Sequence, residues 1–196
     1  IDSFFRPFFS GIFLESELAS TSRMLDFVFK CFGSGYAALP AGGMAEIPRH
    51  LAERLAPDQL ALQQPVTQVS ARRVSTEIGQ TLYAKHVVLA TDMETASQLT
   101  PSVQDRGWNA TRCFYFAAPK SPLSRPMIAL NASGNGVIEN LCVPSDISPS
   151  YAPQGQSLLC VSTRNTGDID ESEVRAELQT WYGDQAEGFR FLRSFA

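Results

Sequence analysis

Apolar residues recur at helical spacing in three stretches of the chain. The first stretch lies between a capping residue, Thr21 or Ser22, and Gly33, which favours a helix end. The second follows a pair of glycines, and the third begins at Asp170, where Glu173 completes a capping-box pattern. Their apolar faces are Met24, Leu25, Val28, Phe29 and Phe32; Met44, Ile47, Leu51, Ala52 and Leu55; and Val174, Leu178, Trp181 and Tyr182. Each pattern predicts an amphipathic helix with one face in a core.

Alternation of apolar and polar residues predicts short strands through most of the remaining chain. Gly79 and Gln80 mark a hairpin turn between two of them. The predicted strands are residues 60–63, 66–69, 74–78, 81–84, 86–90, 112–118, 127–130, 136–143, 157–163 and 189–193. Residues 3–14 are aromatic and interrupted by proline, so we expect an irregular segment or a short strand there.

One predicted strand, residues 86–90, is apolar on both faces, which is typical of a central and parallel strand. Thr91 and Asp92 follow it directly, before a short helical pattern at residues 93–99. Ligands of open α/β sheets usually bind at this end of a strand. A Thr-Asp pair is equally an ordinary helix N-cap, so both interpretations stay open.

The order of the elements predicts an α+β fold with a mixed, mostly antiparallel sheet and helices on one of its faces. We expect three segments: a lead-in with a helix at residues 1–35, a segment built on the glycine pair at residues 36–100, and a sheet subdomain at residues 101–196. The last boundary coincides with a shift towards loops rich in Pro, Ser, Asn and Gly.

The composition is that of a folded protein with a small net charge. Of 196 residues, 44% are hydrophobic and 18% are charged, and the net charge is −4. This balance provides no basic surface and argues against a nucleic-acid partner. No apolar run approaches the ~20 residues that cross a bilayer, and the first residues lack a signal-peptide pattern.

Four cysteines, Cys31, Cys113, Cys142 and Cys160, are widely spaced and form no CxxC pair. Since the chain has only two histidines besides, the spacing indicates no zinc site, and no metal is expected. Scattered thiols in a chain of this size predict reduced, buried cysteines and a cytoplasmic location.

The segment from Leu39 to Met44 places a proline and two glycines directly before the second predicted helix. Gly42 and Gly43 permit backbone angles that other residues avoid, and they leave the main chain uncovered. A tight loop leading into a packed helix is the plain structural interpretation. A bare turn at a helix N-terminus also suits an electron-rich ligand, so the function of this turn is open on these residues alone.

Taken together, these features resemble the flavin-containing amine oxidase and phytoene desaturase superfamily. The matching motifs, in chain order, are Pro40-Ala41-Gly42-Gly43-Met44 with Ile47 and Leu51, then Val66-Thr67-Gln68-Val69, then residues 79–84, and then Val87-Val88-Leu89-Ala90-Thr91-Asp92. Residues 140–146 and 150–153 are similar to a less characterised branch of these oxidoreductases.

The resemblance implies an FAD-dependent oxidoreductase whose FAD domain and substrate domain alternate along the chain. Residues 36–100 would then be an α/β-type part of the FAD domain, residues 1–35 the lead-in to the substrate domain, and residues 101–196 the substrate-binding subdomain. The glycine turn would approach the flavin ring, the Val66 backbone would meet the adenine, and the end of strand 86–90 would line the dinucleotide crevice. The implied cofactor-binding residues are Gly42, Gly43, Met44, Val66, Ala90, Thr91 and Asp92, and no catalytic residue is identified.

Two motifs of that family are absent from the sequence. No G-x-G-x-x-G follows a strand, although that turn holds the FAD pyrophosphate. The Gly-Asp segment that the family places near its C-terminus is also absent. We therefore expect an internal fragment of a flavoenzyme, inactive by itself, with FAD bound in the full-length parent and not by this chain.

The expected parent oxidises or desaturates a largely apolar small molecule, and amines, polyenes and porphyrinogens all stay open as substrates. Peripheral membrane contact by the parent is also left open. The alternatives are a non-catalytic α+β module that binds an apolar ligand or a protein partner, and a structural domain without a ligand. Hydrolase chemistry is disfavoured, because the chain has no G-x-S-x-G and few possible bases besides His50 and His86.

Overall fold

The computed structural model describes residues 3–164 and 168–196 of the chain. Two compact units make up the chain: the larger unit joins Ile1–Ile47 with Asn109–Ala196, and the smaller unit spans Pro48–Trp108. The three segments expected from the sequence divide the chain by function, and that division stays a prediction. Within the described ranges, no helix has the length and apolar content that crossing a bilayer requires.

Helices and antiparallel strands occur together, which confirms the α+β class. The helices are α1 (Phe5–Phe13), α2 (Ser22–Ser34), α3 (Glu46–Ala52), α4 (Met93–Leu99), α5 (Pro144–Ile147) and α6 (Glu171–Tyr182). The strands are β1 (Val66–Ser70), β2 (Arg73–Thr76), β3 (Thr81–Tyr83), β4 (Arg112–Ala118), β5 (Ile128–Leu130), β6 (Ile138–Cys142), β7 (Ser157–Thr163) and β8 (Arg190–Phe195). Short 3-10 helices span Pro149–Tyr151 and Gly183–Gly188.

The larger unit is built on a five-stranded antiparallel sheet in the order β5-β6-β7-β4-β8. Alternate residues of its strands point to one face and form the core, as period-2 patterning requires. Helix α6 covers this face through Val174 and Leu178, and Gly183 ends the helix. The buried residues that the strands contribute to this core are Phe114, Phe116, Ala118, Ile138, Leu141, Leu159 and Val161.

Helix α6 begins at the capping box that the sequence predicts. The Asp170 carboxylate accepts the backbone N–H groups of Ser172 and Glu173, and the Glu173 carboxylate accepts the N–H of Asp170. One turn from its end, the Glu177 carboxylate accepts the backbone N–H groups of Val137 and Ile138 at 2.6 and 2.9 Å. The helix is therefore held to the sheet by charge-assisted hydrogen bonds as well as by apolar packing.

The smaller unit contains a three-stranded antiparallel meander, β1-β2-β3, and helix α4. Gly79, with φ of +83°, forms the predicted turn between β2 and β3. Asp92 caps α4, and α4 packs against β1. Only Thr76 and Ala96 are buried among the described residues of this unit, so its core is small.

Two strands predicted in the smaller unit are wrong. Residues 60–63 are irregular, and Gln63 has a φ of +57°, which interrupts an extended backbone. Residues 86–90 do not pair with any strand in the described part of the chain, and Val88 is 85% exposed. A parallel strand forms only where neighbouring strands accept and donate its hydrogen bonds, and an apolar run does not provide those neighbours.

The aromatic segment at residues 3–14 is helical, so the predicted irregular segment or strand is wrong. Rings four residues apart stack along α1: the centroids are 5.5 Å apart for Phe4 and Phe8 and 5.5 Å apart for Phe9 and Phe13. Pro7 lies in the first turn, where a missing N–H costs little. The i, i+4 aromatic spacing was therefore a helix signal that outweighs the proline.

The glycine turn leads into a helix that is shorter and less covered than expected. Helix α3 has seven residues and no buried one, and Ile47 and Leu51 on its predicted apolar face are 48% and 60% exposed.

Helix α2, by contrast, begins at the expected cap, since Thr21 Oγ1 accepts the N–H of Arg23. The remaining predicted strands are observed within two residues of their expected ends.

Candidate functional site

The glycine turn has the backbone geometry that its sequence predicts. The Gly43 N–H donates to the Pro40 carbonyl at 3.0 Å, and the Glu46 N–H donates to the Gly43 carbonyl at 3.1 Å. Gly43 has a φ of +94°, a conformation in which an L side chain is strained. A Cβ at Gly43 would meet no other atom within 4 Å, so space adjoins the main chain there. At Gly42 a Cβ would lie 2.7 Å from the Glu46 carboxylate.

A loop more than a hundred residues later in the chain anchors this turn. The Tyr151 hydroxyl donates to the Pro40 carbonyl at 2.8 Å, and the Ser150 hydroxyl donates to the Ala41 carbonyl. Both donors belong to the 3-10 helix Pro149–Tyr151, which leads from α5 towards β7. The position of the turn is thus set by the larger unit, to which all four residues belong.

Met44 follows the turn and is 58% exposed. Since α3 spans only seven residues, the case for ligand binding rests on the bare backbone of the turn and not on a helix dipole. The features of the turn that a ligand would meet are uncovered main chain at Gly43 and the flexible thioether of Met44.

The other predicted site residues, Val66, Ala90, Thr91 and Asp92, lie in the smaller unit. Val66 begins β1 opposite Thr76, and Ala90 and Thr91 are exposed. The structure therefore places the predicted set in two units, with the glycine turn in one and these four residues in the other.

Asp92 acts as a helix cap, the structural alternative that the sequence left open. Its carboxylate oxygens accept the Thr95 backbone N–H and the Thr95 hydroxyl, each at 2.8 Å. The hydrogen bond from the Thr95 backbone is the main reason that the pKa of Asp92 is lowered. A carboxylate occupied in this way stabilises α4 and is ionised at neutral pH.

The face of the large sheet opposite α6 was not identified from the sequence. Cys113 and Tyr115 of β4, Cys160 and Ser162 of β7, and Cys142 of β6 lie on it, and all five are half-buried. The expectation of buried cysteines is wrong, because Cys31 is exposed on α2 and the other three are half-buried. These three are scattered in the sequence but meet on this face. Their alternation with core residues is visible in the sequence, but the register that aligns them is not.

This sheet face is also partly aromatic. The rings of Tyr115 and Phe195 make an edge-to-face contact with centroids 5.8 Å apart. Burial raises the pKa of the Tyr115 hydroxyl, so this group is neutral and can act as a hydrogen-bond donor. The Arg193 guanidinium lies 4.8 Å from the Phe195 ring centroid.

The remaining candidate polar residues have structural or surface surroundings. His50 Nδ1 is 3.1 Å from Glu53 Oε2 on an exposed helix face. The Asp146 carboxylate accepts a hydrogen bond from the Ser121 hydroxyl at 2.6 Å. Across residues 3–164 and 168–196, no group of three or more His, Cys, Asp or Glu side chains is arranged to hold a metal ion.

Comparison with known proteins gives a family match and several related folds. The family model described as flavin containing amine oxidoreductase matches residues 1–193. Reduced UDP-galactopyranose mutase superposes with a TM-score of 0.63 at 12% identity, over 97% of this chain and 50% of that protein. The PF1083 protein from Pyrococcus furiosus has a TM-score of 0.52 at 17% identity, with coverages of 67% and 36%.

A third solved structure, an oxidoreductase from Methanosarcina mazei, has a TM-score of 0.51 at 11% identity, over 67% of this chain and 36% of that protein. At these identities the superpositions show a shared fold. The chain thus spans half or less of the length of these three structures. A search of curated proteins found no match.

Proposed function

Because the chain belongs to the flavin-containing amine oxidoreductase family, we propose that it forms part of an FAD-dependent oxidoreductase that oxidises or desaturates a largely apolar small molecule. The observation that carries this proposal is the anchored glycine turn. It presents uncovered main chain at Gly43, and Tyr151 and Ser150 hold it in place.

The turn fits a planar aromatic cofactor ring for a steric reason. The positive φ of Gly43 and the empty space around it allow a ring to approach the main chain without meeting a side chain. Met44 adds a polarizable, exposed side chain next to this backbone. We therefore propose Gly42, Gly43 and Met44 of the larger unit as flavin-binding residues. The family resemblance alone supports Val66, Ala90, Thr91 and Asp92 of the smaller unit as further FAD-binding residues.

FAD, when bound, supplies the hydride-accepting ring. The contribution of this chain is to position the turn and to shape the space for the substrate. Tyr151 fixes the turn through the Pro40 carbonyl, so the uncovered backbone stays in one place without a side chain that would cover it. We assign no residue of this chain as an acid or a base for the chemical step.

The half-buried sheet face supports a substrate with little charge. Tyr115 and Phe195 offer aromatic surface, and the thiols of Cys113, Cys142 and Cys160 are weakly polar. A neutral Tyr115 hydroxyl provides a hydrogen bond for orienting one polar group. We assign this face as a wall of the substrate site.

The test compares two glycines that have similar backbones and different proposed roles. Gly43 and Gly155 both have positive φ, +94° and +76°, and a Cβ at either would meet no atom within 4 Å. Both also belong to the larger unit. Gly43→Val and Gly155→Val in the full-length protein should therefore suffer comparable backbone strain.

We expect Gly43→Val to lose flavin absorbance while its far-ultraviolet circular dichroism stays that of the parent. Gly155→Val should retain flavin, because no cofactor contact is assigned to its loop. Stoichiometric flavin in the folded Gly43→Val protein would show that the turn is a structural feature only. Equal flavin loss in both variants would assign the effect to backbone strain instead.

A further inference from the structure

Three sulfur atoms lie next to one another on the half-buried face of the large sheet. Cys113 Sγ of β4 and Cys160 Sγ of β7 are 3.1 Å apart. Cys160 is also the direct cross-strand neighbour of Cys142 in β6. Cys160 therefore has a thiol on each side, contributed by the two strands that pair with β7.

The distance between Cys113 and Cys160 is close to bonding range. A disulfide has an S–S length of about 2 Å, so the two sulfurs need to approach by about 1 Å. Cys113 lies opposite Ser162, and Cys160 lies opposite Tyr115, so the pair is diagonal across two hydrogen-bonded strands. The paired strands hold the two sulfurs 3.1 Å apart, so the sulfurs are positioned to react with each other.

The protonation of the three thiols differs. Hydrogen bonding to Cys160, together with burial, raises the pKa of Cys113, which therefore stays protonated at neutral pH. A hydrogen bond from Cys160 lowers the pKa of Cys142. Because the thiolate is the reactive form, Cys142 is the most readily activated sulfur of the three.

We propose that Cys113 and Cys160 are a redox-active pair that a two-electron oxidant, hydrogen peroxide or a small disulfide, converts to a cross-strand disulfide, with Cys142 as the sulfur that reacts first. The oxidation needs only the sheet of the larger unit and no flavin, although the same sheet face is assigned above as a wall of the substrate site.

With peroxide, the Cys142 thiolate attacks one peroxide oxygen, the O–O bond breaks, and the second oxygen leaves as water after protonation. Cys160 then attacks the sulfur of the Cys142 sulfenic acid and forms a Cys142–Cys160 disulfide. The hydroxyl of the sulfenic acid leaves as a second water. Cys113 then attacks Cys160, and its proton passes to the departing Cys142 sulfur, so that Cys142 is released as a thiol. Two thiols lose two electrons and two protons in total, and one peroxide becomes two waters.

Peptide mapping of the full-length protein tests the proposal. The exposed Cys31 is first changed to serine to prevent links between molecules. The protein is treated with peroxide, free thiols are alkylated, and the product is digested with trypsin and an endoproteinase that cleaves before aspartate. Trypsin releases residues 113–120, and cleavage before Asp146 separates Cys142 from Cys160. A linked peptide of residues 113–120 and 146–164 is the expected product.

Two variants in the same background act as a matched pair. Cys160→Ser should form no linked peptide, because it removes the sulfur shared by both neighbours. Cys142→Ser should form the same linked peptide several-fold more slowly, because Cys113 and Cys160 remain. The proposal is overturned if Cys113 and Cys160 stay unlinked in the folded protein, or if they link only after unfolding in urea.

Discussion

The two units of this chain contain similar local elements but differ in what those elements bury. In the larger unit, α6 and the five-stranded sheet enclose a continuous core, and Phe116 and Leu159 have no exposed surface. In the smaller unit, a well-formed meander and a capped helix bury only Thr76 and Ala96 among the described residues. Antiparallel hairpins and helix caps therefore form in both units, whereas an extensive core forms only in the larger one.

This difference shows that local signals and burial are separate requirements. The turn at Gly79 and the cap at Asp92 are satisfied by residues close in sequence. The apolar residues Val88 and Ile78 are 85% and 71% exposed, so the stabilisation that their burial would add is missing from the smaller unit.

The largest effect should come from truncating a core ring of the larger unit. Phe116→Ala removes a fully buried side chain and should lower the free energy of unfolding by about 3–5 kcal/mol. Ile78→Ala in the smaller unit should change it by less than about 0.5 kcal/mol, because Ile78 is 71% exposed. Urea unfolding followed by circular dichroism measures both variants. Equal effects of the two substitutions would contradict the contrast between the units.

A smaller effect is expected at the polar link between α6 and the sheet. Glu177→Gln replaces a carboxylate that accepts two backbone N–H groups and the side-chain amide of Asn131, so it should cost about 1.5–3 kcal/mol. Glu77→Gln, on the exposed surface of the smaller unit, is the control and should be nearly neutral. The same urea experiment measures both variants. An unchanged midpoint of unfolding for Glu177→Gln would show that this carboxylate does not stabilise the contact between α6 and the sheet.

The smallest effect is expected at the two helix caps, one in each unit. Hydrogen bonds from Ser172 and from Thr95 hold the pKa values of Asp170 and Asp92, respectively, below the usual range. Each cap therefore contributes stability that is fully present above the unfolded-state pKa of about 4 and is lost as the pH falls through the lower folded-state value.

Asp170→Asn and Asp92→Asn keep an acceptor for the cap but remove the titration. Each should reduce the loss of thermal stability between pH 7 and pH 3 by a small and similar amount. Thermal unfolding at a series of pH values checks this prediction. A large change in the pH dependence of thermal stability for only one variant would show that tertiary packing, and not local hydrogen bonding, sets the contribution of the caps.

The sequence alone was sufficient wherever the partners of a residue are near it in the chain. The capping box of α6, the Thr21 cap and the hairpin at Gly79 were predicted correctly because their hydrogen bonds span a few residues. The strands of the large sheet were recognised from period-2 alternation. The pair Gly42 and Gly43 was recognised as permitting unusual backbone angles, and Gly43 adopts one.

Tertiary structure decided everything that depends on a distant partner. Tyr151 meets Pro40 across 111 positions, and the neighbours of Cys160 are set by strand register. Strand 86–90 failed for the same reason, since an apolar run does not specify which strands will pair with it. Closing long loops costs conformational entropy, and only the packing of the whole core offsets this cost. Contacts between distant residues therefore depend on the whole sheet and not on any short segment.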